Sequence, residues 1–128
     1  MCLVGSEMCI RDRFQAIQHS LAVIAAEVAA AQRAADAAVD SIGGERFVIE
    51  VAAGKARVGE AVGIVAEQTH QIHGAMGFTH EHQLHHFTRR LWAWRDEWGS
   101  ESYWQRRLGE WLSKQGPDKL WASLATPG

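Results

Sequence analysis

Apolar residues recur at alternating steps of three and four along the first part of the chain. This spacing places one apolar stripe along a helix, and most positions between hold residues that favour helix or face solvent. The pair Gly43–Gly44 is expected to end the helix. We therefore predict a long first helix with one buried stripe, formed by Phe14, Ile17, Leu21, Ile24, Val28, Ala31, Ala35, Ala38 and Ile42.

The same periodicity predicts a second helix from Glu45 to about His73. Its interior contains Gly54, Gly59 and Gly63, each of which costs roughly 1 kcal/mol relative to Ala in a helix. Such glycines usually allow a neighbouring helix to approach closely, and we favour that role over a ligand contact. The residues predicted to face inward are Val48, Val51, Ala52, Val58, Val62, Val65, Thr69 and Ile72.

Two shorter helices are predicted after a small-residue turn at Gly74–Gly77. The first runs from Glu81 to Trp98, and the second runs from Glu101 to about Lys114 with Ser100 as its N-cap. Their predicted inward residues are Leu84, Phe87, Leu91, Trp94 and Trp98, then Tyr103, Trp104, Leu108, Trp111 and Leu112.

The alternating pattern of a β-strand does not occur along the sequence. We predict an all-α protein, an antiparallel four-helix bundle over residues 14–115. Gly116–Pro117 should end the fourth helix. The tail, residues 116–128, contains Leu120, Trp121 and Leu124, which are expected to pack as a last turn.

Residues 1–13 are predicted to be foreign to the domain. One back-translation of Cys2–Arg13 resembles a transposon adapter used to prepare sequencing libraries, and the segment has no helical or strand period and no signal-peptide core. We interpret it as a cloning or assembly scar and expect a native sequence from Phe14 that is a fragment of a longer protein. Both cysteines, Cys2 and Cys9, fall in this segment, so we expect no disulfide framework or thiol chemistry.

Length, net charge and hydropathy indicate which classes of protein this chain fits. About 115 residues remain after the scar, enough for one helical domain. The formal net charge is -2, which gives no reason to expect a nucleic-acid partner. The most apolar stretch, Leu21–Ala31, is interrupted by Glu27, so membrane insertion is not expected. We expect a soluble, cytoplasmic protein.

Two clusters offer chemistry, and both have a structural alternative. His70 and His73 share an i,i+3 spacing that His82 and His85 repeat. Zinc or di-iron sites use such pairs, but the further ligands are not specified, and we favour no metal.

The other cluster places arginines among tryptophans. Acidic residues lie between these arginines, so we favour ion pairs and cation–π packing over a nucleic-acid surface. The cluster comprises Arg89, Arg90, Trp92, Trp94, Arg95, Asp96, Glu97, Trp98, Glu101, Trp104, Arg106, Arg107 and Glu110.

The segment 71–79, Gln-Ile-His-Gly-Ala-Met-Gly-Phe-Thr, follows the second predicted helix. Small residues there are typical of a helix C-terminus, and they also let backbone approach a ligand closely. Together with the segment 14–22, Phe-Gln-Ala-Ile-Gln-His-Ser-Leu-Ala, it resembles the C-terminal helical domain of acyl-CoA dehydrogenases. The family's patterns are Phe-Gln-x-Ile-Gln-x-x-Leu-Ala and Gln-Ile-His-Gly-Gly-x-Gly-Phe, and the resemblance extends from Phe14 to about Leu112.

The resemblance implies FAD as cofactor and α,β-dehydrogenation of an acyl-CoA, with electrons passed to an electron-transfer flavoprotein. A Gly turn at a helix end offers backbone N–H groups to a pyrophosphate. Ala75 stands where the family has its second Gly. A homo- or hetero-oligomer, a dimer of dimers, is also implied, because these residues generally touch the flavin of a neighbouring subunit. The residues implied to contact FAD are Gln15, Gln71, Ile72, His73, Gly74 and Ala75.

The resemblance does not supply a catalytic base. When Arg89 is aligned with the family's Arg, Trp98 occupies the place of the usual Glu, followed by Gly99 and Ser100. Some relatives carry the base on an earlier helix, and others are non-catalytic partners, so no catalytic residue is assigned. We expect a C-terminal dehydrogenase fragment that supplies FAD contacts and an oligomer interface and is inactive alone. The alternatives are a non-catalytic partner subunit and, third, a metal-binding bundle.

Overall fold

The computed structural model describes residues 7–75 and 81–125. Within them the chain forms five helices: α1 (Glu7–Asp40), α2 (Phe47–Ala75), α3 (Glu81–Asp96), α4 (Glu101–Gln115) and α5 (Pro117–Ala125). Four of them correspond to the predicted helices, and the all-α fold of packed helices is confirmed. The fifth replaces the predicted tail.

Helix α2 is the central element of the fold. It packs against α1, α3 and α4, while α5 packs against α4. The ion pair between Glu27 and Arg57, and the approach of Ala34 to Gly54, show that α1 and α2 run antiparallel. The most buried apolar residues of the described chain are alanines of α2, at positions 52, 56, 61 and 66. Small side chains let the neighbouring helices lie close to the α2 backbone.

Two of the three interior glycines have the predicted packing role. A Cβ at Gly54 would lie 3.3 Å from the carbonyl oxygen of Ala34 in α1, and one at Gly59 would lie 2.9 Å from the Cβ of Glu101 in α4. Gly63 differs, because a Cβ there would meet no heavy atom of the described residues within 4 Å. The prediction is wrong for Gly63, whose neighbourhood is open.

The predicted buried stripe of α1 divides into two rows. One row, Ile17, Ile24, Ala31 and Ala38, is half-buried. The other, which we call the outer row, repeats every seven residues and is exposed, against the prediction. Since α2 covers only one flank of α1, a stripe wide enough for two neighbours keeps one side bare. The outer row comprises Phe14, Leu21, Val28, Ala35 and Ile42.

Other predicted inward residues are also exposed. The exposed residue on α2 is Val48. The exposed residues on α3, on α4 and at the corner between them are Phe87, Trp94, Trp98 and Tyr103. Their predicted companions Leu84, Leu91, Trp104, Leu108, Trp111 and Leu112 are half-buried. Periodicity therefore identified the apolar faces but did not show which part of each face has a neighbour within this chain.

Helix boundaries differ from the prediction at several ends. Helix α1 begins at Glu7, inside the predicted scar, because a well-formed helix extends readily into adjacent residues. It ends at Asp40, and α2 begins at Phe47 after a turn that contains Gly43 and Gly44. The origin of Cys2–Arg13 stays a prediction.

Both predicted ends of α4 are confirmed, and the tail beyond it is helical. The Ser100 hydroxyl accepts a hydrogen bond from the Tyr103 amide as N-cap, and Gly116 is the C-cap. The Arg46 Nη2 donates a 3.1 Å hydrogen bond to the Ser123 carbonyl and so connects α5 to the segment that precedes α2. The predicted packing of the tail is wrong, since the apolar side chains of α5 are exposed: Leu120, Trp121 and Leu124.

One stretch of α1, Ile10–Asp40, is long and apolar enough to cross a membrane by length and composition alone. A single helix of this kind is weak evidence, because helices that pack within soluble proteins meet the same criterion. Glu27, in the middle of the stretch, is ion-paired with Arg57 of α2 at 2.6 Å.

Candidate functional site

The residues predicted to contact a cofactor on α2 all lie within the last turns of that helix. Helix α2 continues through Ala75, beyond the predicted end at His73. The backbone N–H groups of Gly74 and Ala75 are therefore directed along the helix toward carbonyls four residues earlier. Within the described residues these groups belong to the helix rather than to a turn, and the predicted contact of Gly74 and Ala75 with FAD stays a prediction.

The side chains of this segment differ in exposure. Gln71 and Gly74 are exposed, whereas Ile72 and His73 are half-buried. A Cβ built at Gly74 would meet no heavy atom of the described residues within 4 Å. The side chain of Ala75 and the remainder of the motif, Met76–Thr79, lie outside the described residues.

Gln15 of α1 lies level with this end of α2. Counting twelve residues back from Glu27 reaches Gln15, and counting twelve residues forward from its partner Arg57 reaches Thr69. Ala34 and Gly54 are also close neighbours, and counting nineteen residues back from Ala34 and nineteen forward from Gly54 places Gln15 opposite His73. Because antiparallel helices rise equally per residue, Gln15 lies opposite the turn centred on Gln71. Two predicted contact residues that are far apart in sequence thus share one end of the α1–α2 pair.

The opposite flank of this turn is attached to α3. The Nε2 of His70 lies 2.9 Å from the hydroxyl of Thr88, and the His70 ring lies 5.0 Å from the His85 ring between centroids. Thr88 is 2% exposed and is the buried polar residue of the described chain. Its hydroxyl donates to the Leu84 carbonyl at 3.0 Å. Because the hydroxyl proton is directed to the Leu84 carbonyl, we assign Nε2 of His70 as the donor to Thr88.

The histidines serve as packing and hydrogen-bonding residues in this arrangement. Nδ1 of His73 donates to the Thr69 carbonyl of its own helix at 2.9 Å, which directs this nitrogen away from any metal. The side chain of His82, half of the second predicted pair, lies outside the described part of the chain. Among residues 7–75 and 81–125, no group of three or more His, Cys, Asp or Glu is placed to hold a metal ion.

The corner between α3 and α4 is stabilised by hydrogen bonds from α2 and α4 and by close packing at Gly99. Lys55 of α2 donates hydrogen bonds to the carbonyls of Arg95 and Glu97 at 3.2 and 2.8 Å. Trp104 of α4 donates its Nε1–H to the Trp98 carbonyl at 3.0 Å. Gly99, with φ of 104°, has no room for a side chain, because a Cβ would lie 2.8 Å from the Tyr103 ring.

Trp98 is presented outward by this corner. Its φ is 63°, the one positive φ recorded for a non-glycine residue in the described chain, and its indole is 85% exposed. The two flanking carboxylates have different surroundings. Glu97 is exposed. Glu101 lies against Gly59 of α2, where its Oε2 would be 3.2 Å from a Cβ at that glycine. The predicted alignment of Trp98 with the family's base stays a prediction.

The arginine and tryptophan cluster of α3 behaves partly as predicted. The Arg90 guanidinium carbon lies 5.9 Å from the centre of a Trp94 ring, a cation–π geometry. Arg95 and Asp96 form an ion pair at 3.4 Å. Both contacts lie within α3, so this part of the cluster forms the intra-helix contacts that were predicted.

An apolar groove runs beside the outer row of α1, with α2 as its floor and α3 at its edge. Its volume is about 410 Å³. Val28 and Ala35 belong to both the outer row and the groove, so the two form one continuous apolar surface. The groove is lined by Val28, Ala31, Gln32, Ala35, Val58, Ala61, Val62, Val65 and Leu91.

Three residues have structural roles that the sequence did not indicate. Lys55 binds the carbonyls at the end of α3, and His70 and Thr88 form a hydrogen bond with each other. A lysine within a helix and a threonine between Phe87 and Arg89 look like ordinary surface positions. Their roles depend on carbonyls and side chains 18 to 42 residues away, which no local pattern indicates.

Comparison with known proteins agrees with the geometry. Residues 12–109 match the family model described as acyl-CoA dehydrogenase, C-terminal domain. Neither the comparison with curated proteins nor that with solved structures gives a match. The family match covers well over half of the chain and includes α2, α3 and most of α1 and α4. The chain therefore belongs to the family of the acyl-CoA dehydrogenase C-terminal domain.

Proposed function

We propose that this chain acts as the C-terminal helical domain of an FAD-dependent acyl-CoA dehydrogenase, which introduces an α,β double bond into an acyl-CoA thioester. The family match over residues 12–109 supports the reaction class. The observation that carries the role of this domain is the antiparallel register. It brings Gln15 level with Gln71, the two glutamines that the family resemblance assigns to cofactor contact.

The described residues suit the polar edges of FAD better than its phosphates. A glutamine amide both donates and accepts hydrogen bonds, and Gln15 and Gln71 are exposed. Gly74 has no side chain that would keep a ligand from its backbone. The last turn of a helix carries partial negative charge, so phosphate oxygens are expected to find their donors elsewhere. Bound FAD would supply the hydride acceptor for the β-carbon of the substrate, and Gln15, Gln71 and Gly74 would help to hold it.

The outer row and its groove support a second role, as an oligomer interface. A row of exposed apolar side chains at seven-residue spacing is typical of a helix that packs against another. Contiguous apolar surface of this kind on a domain usually marks an interaction site. We propose that subunits of a homo- or hetero-oligomer, a dimer of dimers, meet there. An electron-transfer flavoprotein as electron acceptor and a cytoplasmic location are parts of the same proposal.

Trp98 favours the second candidate function, a non-catalytic partner subunit in a heteromeric dehydrogenase. An indole cannot remove the α-proton of an acyl-CoA. Glu101, which follows closely in sequence, is turned onto Gly59 of α2. In both candidates this domain binds and orients, and the proton is removed by a group that lies elsewhere in the assembly.

The test sequences the source gene upstream of the codon for Phe14. A β-rich domain encoded there agrees with the proposal, whereas an independent start codon immediately before Phe14 contradicts it. The full-length protein is then purified and its flavin absorbance and acyl-CoA oxidation are measured. Flavin with activity supports the first candidate, and a colourless protein that activates a second subunit supports the alternative.

Two variants connect the test to the geometry. Gln15→Ala and Gln71→Ala should each weaken FAD binding by about tenfold, as expected for a lost hydrogen bond to a ligand. Gln105→Ala, at an exposed position on α4, is the matched control and should leave FAD binding unchanged. Equal behaviour of all three variants would remove the basis for placing the cofactor at this end of α1 and α2.

A further inference from the structure

A part-buried side-chain hydrogen bond attaches the last turns of α2 to α3. His70 donates from Nε2 to the Thr88 hydroxyl at 2.9 Å, and Thr88 is 2% exposed. The bond joins residues 18 positions apart on different helices. Neither residue belongs to the motifs that the family resemblance assigns to the cofactor.

Both partners are fixed by further contacts. The Thr88 hydroxyl donates to the Leu84 carbonyl at 3.0 Å, which orients its lone pair toward His70. The His70 ring lies 5.0 Å from the His85 ring, tilted by 43°. The imidazole therefore has one orientation set by two residues of α3. Loss of this hydrogen bond would remove the polar link between His70 of α2 and the buried hydroxyl of α3, while Thr88 would keep its bond to the Leu84 carbonyl.

Next to this anchor lies the segment Gln71–Gly74, in which Gln71 and Gly74 are exposed. His70 immediately precedes Gln71, so the two side chains leave the helix about 100° apart. While His70 is held against α3, Gln71 is exposed on another side of α2. Rotation or fraying of the last turns of α2 would move Gln71 and Gly74 together, and the bond to Thr88 opposes that movement.

We propose that His70 and Thr88 are positioning residues: their hydrogen bond fixes the C-terminal turns of α2 so that Gln71–Gly74 are preorganised for the cofactor. The part that concerns the cofactor rests on the proposed function. Preorganisation raises affinity because less ordering remains to be done on binding. Neither residue needs to touch FAD for this effect.

The first test measures amide hydrogen exchange of residues 70–75 in this chain. Thr88→Val keeps the shape of the side chain and removes the hydroxyl, so exchange in this segment should accelerate by about tenfold. Thr88→Ser restores a hydroxyl and should stay within about twofold of the original chain. His70→Phe keeps a ring beside His85 without the donor and should match Thr88→Val, which covers the case in which that variant folds poorly.

Thr69→Val is the matched control. Thr69 donates from its hydroxyl to the Val65 carbonyl at 2.6 Å within α2, and among residues 7–75 and 81–125 that hydroxyl has no recorded bond to another helix. It adjoins His70, so a general effect of hydroxyl loss near the site would appear in this variant too. Exchange in Thr88→Val that is no faster than in Thr69→Val would overturn the anchoring role.

The second test measures FAD affinity in the full-length protein. Thr88→Val and His70→Phe should raise the dissociation constant about tenfold, while Thr88→Ser and Thr69→Val leave it within about twofold. Unchanged affinity together with accelerated exchange would overturn preorganisation for the cofactor. If the original protein and its oligomer bind no FAD, the proposed function fails, and the exchange measurement still decides on the anchor.

Discussion

The Nζ of Lys55 donates a hydrogen bond to the Glu97 carbonyl oxygen 2.8 Å away and so joins the middle of α2 to the end of α3. The same ammonium group donates to the Arg95 carbonyl at 3.2 Å. The last carbonyls of a helix have no partner within it, and a positive charge there also interacts favourably with the helix dipole. Lys55 thus fixes the corner that presents Trp98.

Replacing Lys55 with Met should lower the free energy of unfolding by about 1 kcal/mol, because the aliphatic stem is kept and the carbonyls lose a charged donor. Urea denaturation of the chain measures the change. Lys119→Met, at an exposed position of α5, is the control and should have little effect. Equal loss in both variants would show that the Lys55 bonds contribute nothing specific.

Gly59 and Gly63 should respond to alanine with opposite signs. A Cβ at Gly59 would lie 2.9 Å from the Cβ of Glu101, so Gly59→Ala should push α4 from α2 and destabilise by about 1–3 kcal/mol. A Cβ at Gly63 meets nothing within 4 Å among the described residues. Gly63→Ala should therefore stabilise by about 0.5–1 kcal/mol through helix propensity. Thermal unfolding compares the two, and stabilisation by Gly59→Ala would contradict the close α2–α4 contact.

Trp98→Asn should stabilise the chain by about 0.5–1 kcal/mol. A bulky residue at positive φ is strained, whereas Asn adopts this conformation more readily, and an indole that is 85% exposed loses little burial. Trp121→Asn provides the comparison, since Trp121 is also highly exposed but lies within α5. It should not stabilise, because Asn is a poor helix residue. Denaturant midpoints measured at equal protein concentration test the difference in sign.

Leu21→Glu should abolish self-association through the outer row of α1 while changing the stability of the single chain by less than about 0.5 kcal/mol, as is usual for an exposed position. Sedimentation velocity reports the association, and circular dichroism reports the fold. Ala26→Glu, at an exposed position well around α1 from this row, should leave association intact. Assembly that survives Leu21→Glu would exclude the outer row as the interface.

The sequence alone determined the helical class, because a period of three and four persists along the chain and because Ser100, Gly116 and Pro117 mark the ends of α4 locally. It also indicated the glycines of close approach, correctly for Gly54 and Gly59. Local signals of this kind depend only on neighbours a few residues away, so they can be recognised before folding is known. The family resemblance rests on similarly local motifs.

Only the tertiary structure decided what each helix face contacts. It divided the α1 stripe into a half-buried row and an exposed one, extended α2 through Gly74, and turned Trp98 outward. It also paired His70 with Thr88 and Lys55 with Glu97. These relationships depend on the register and the crossing angles of separate helices. Both are determined by contacts between side chains that are distant in sequence. A periodic pattern specifies that a face is apolar, but the neighbour that covers it is chosen by packing.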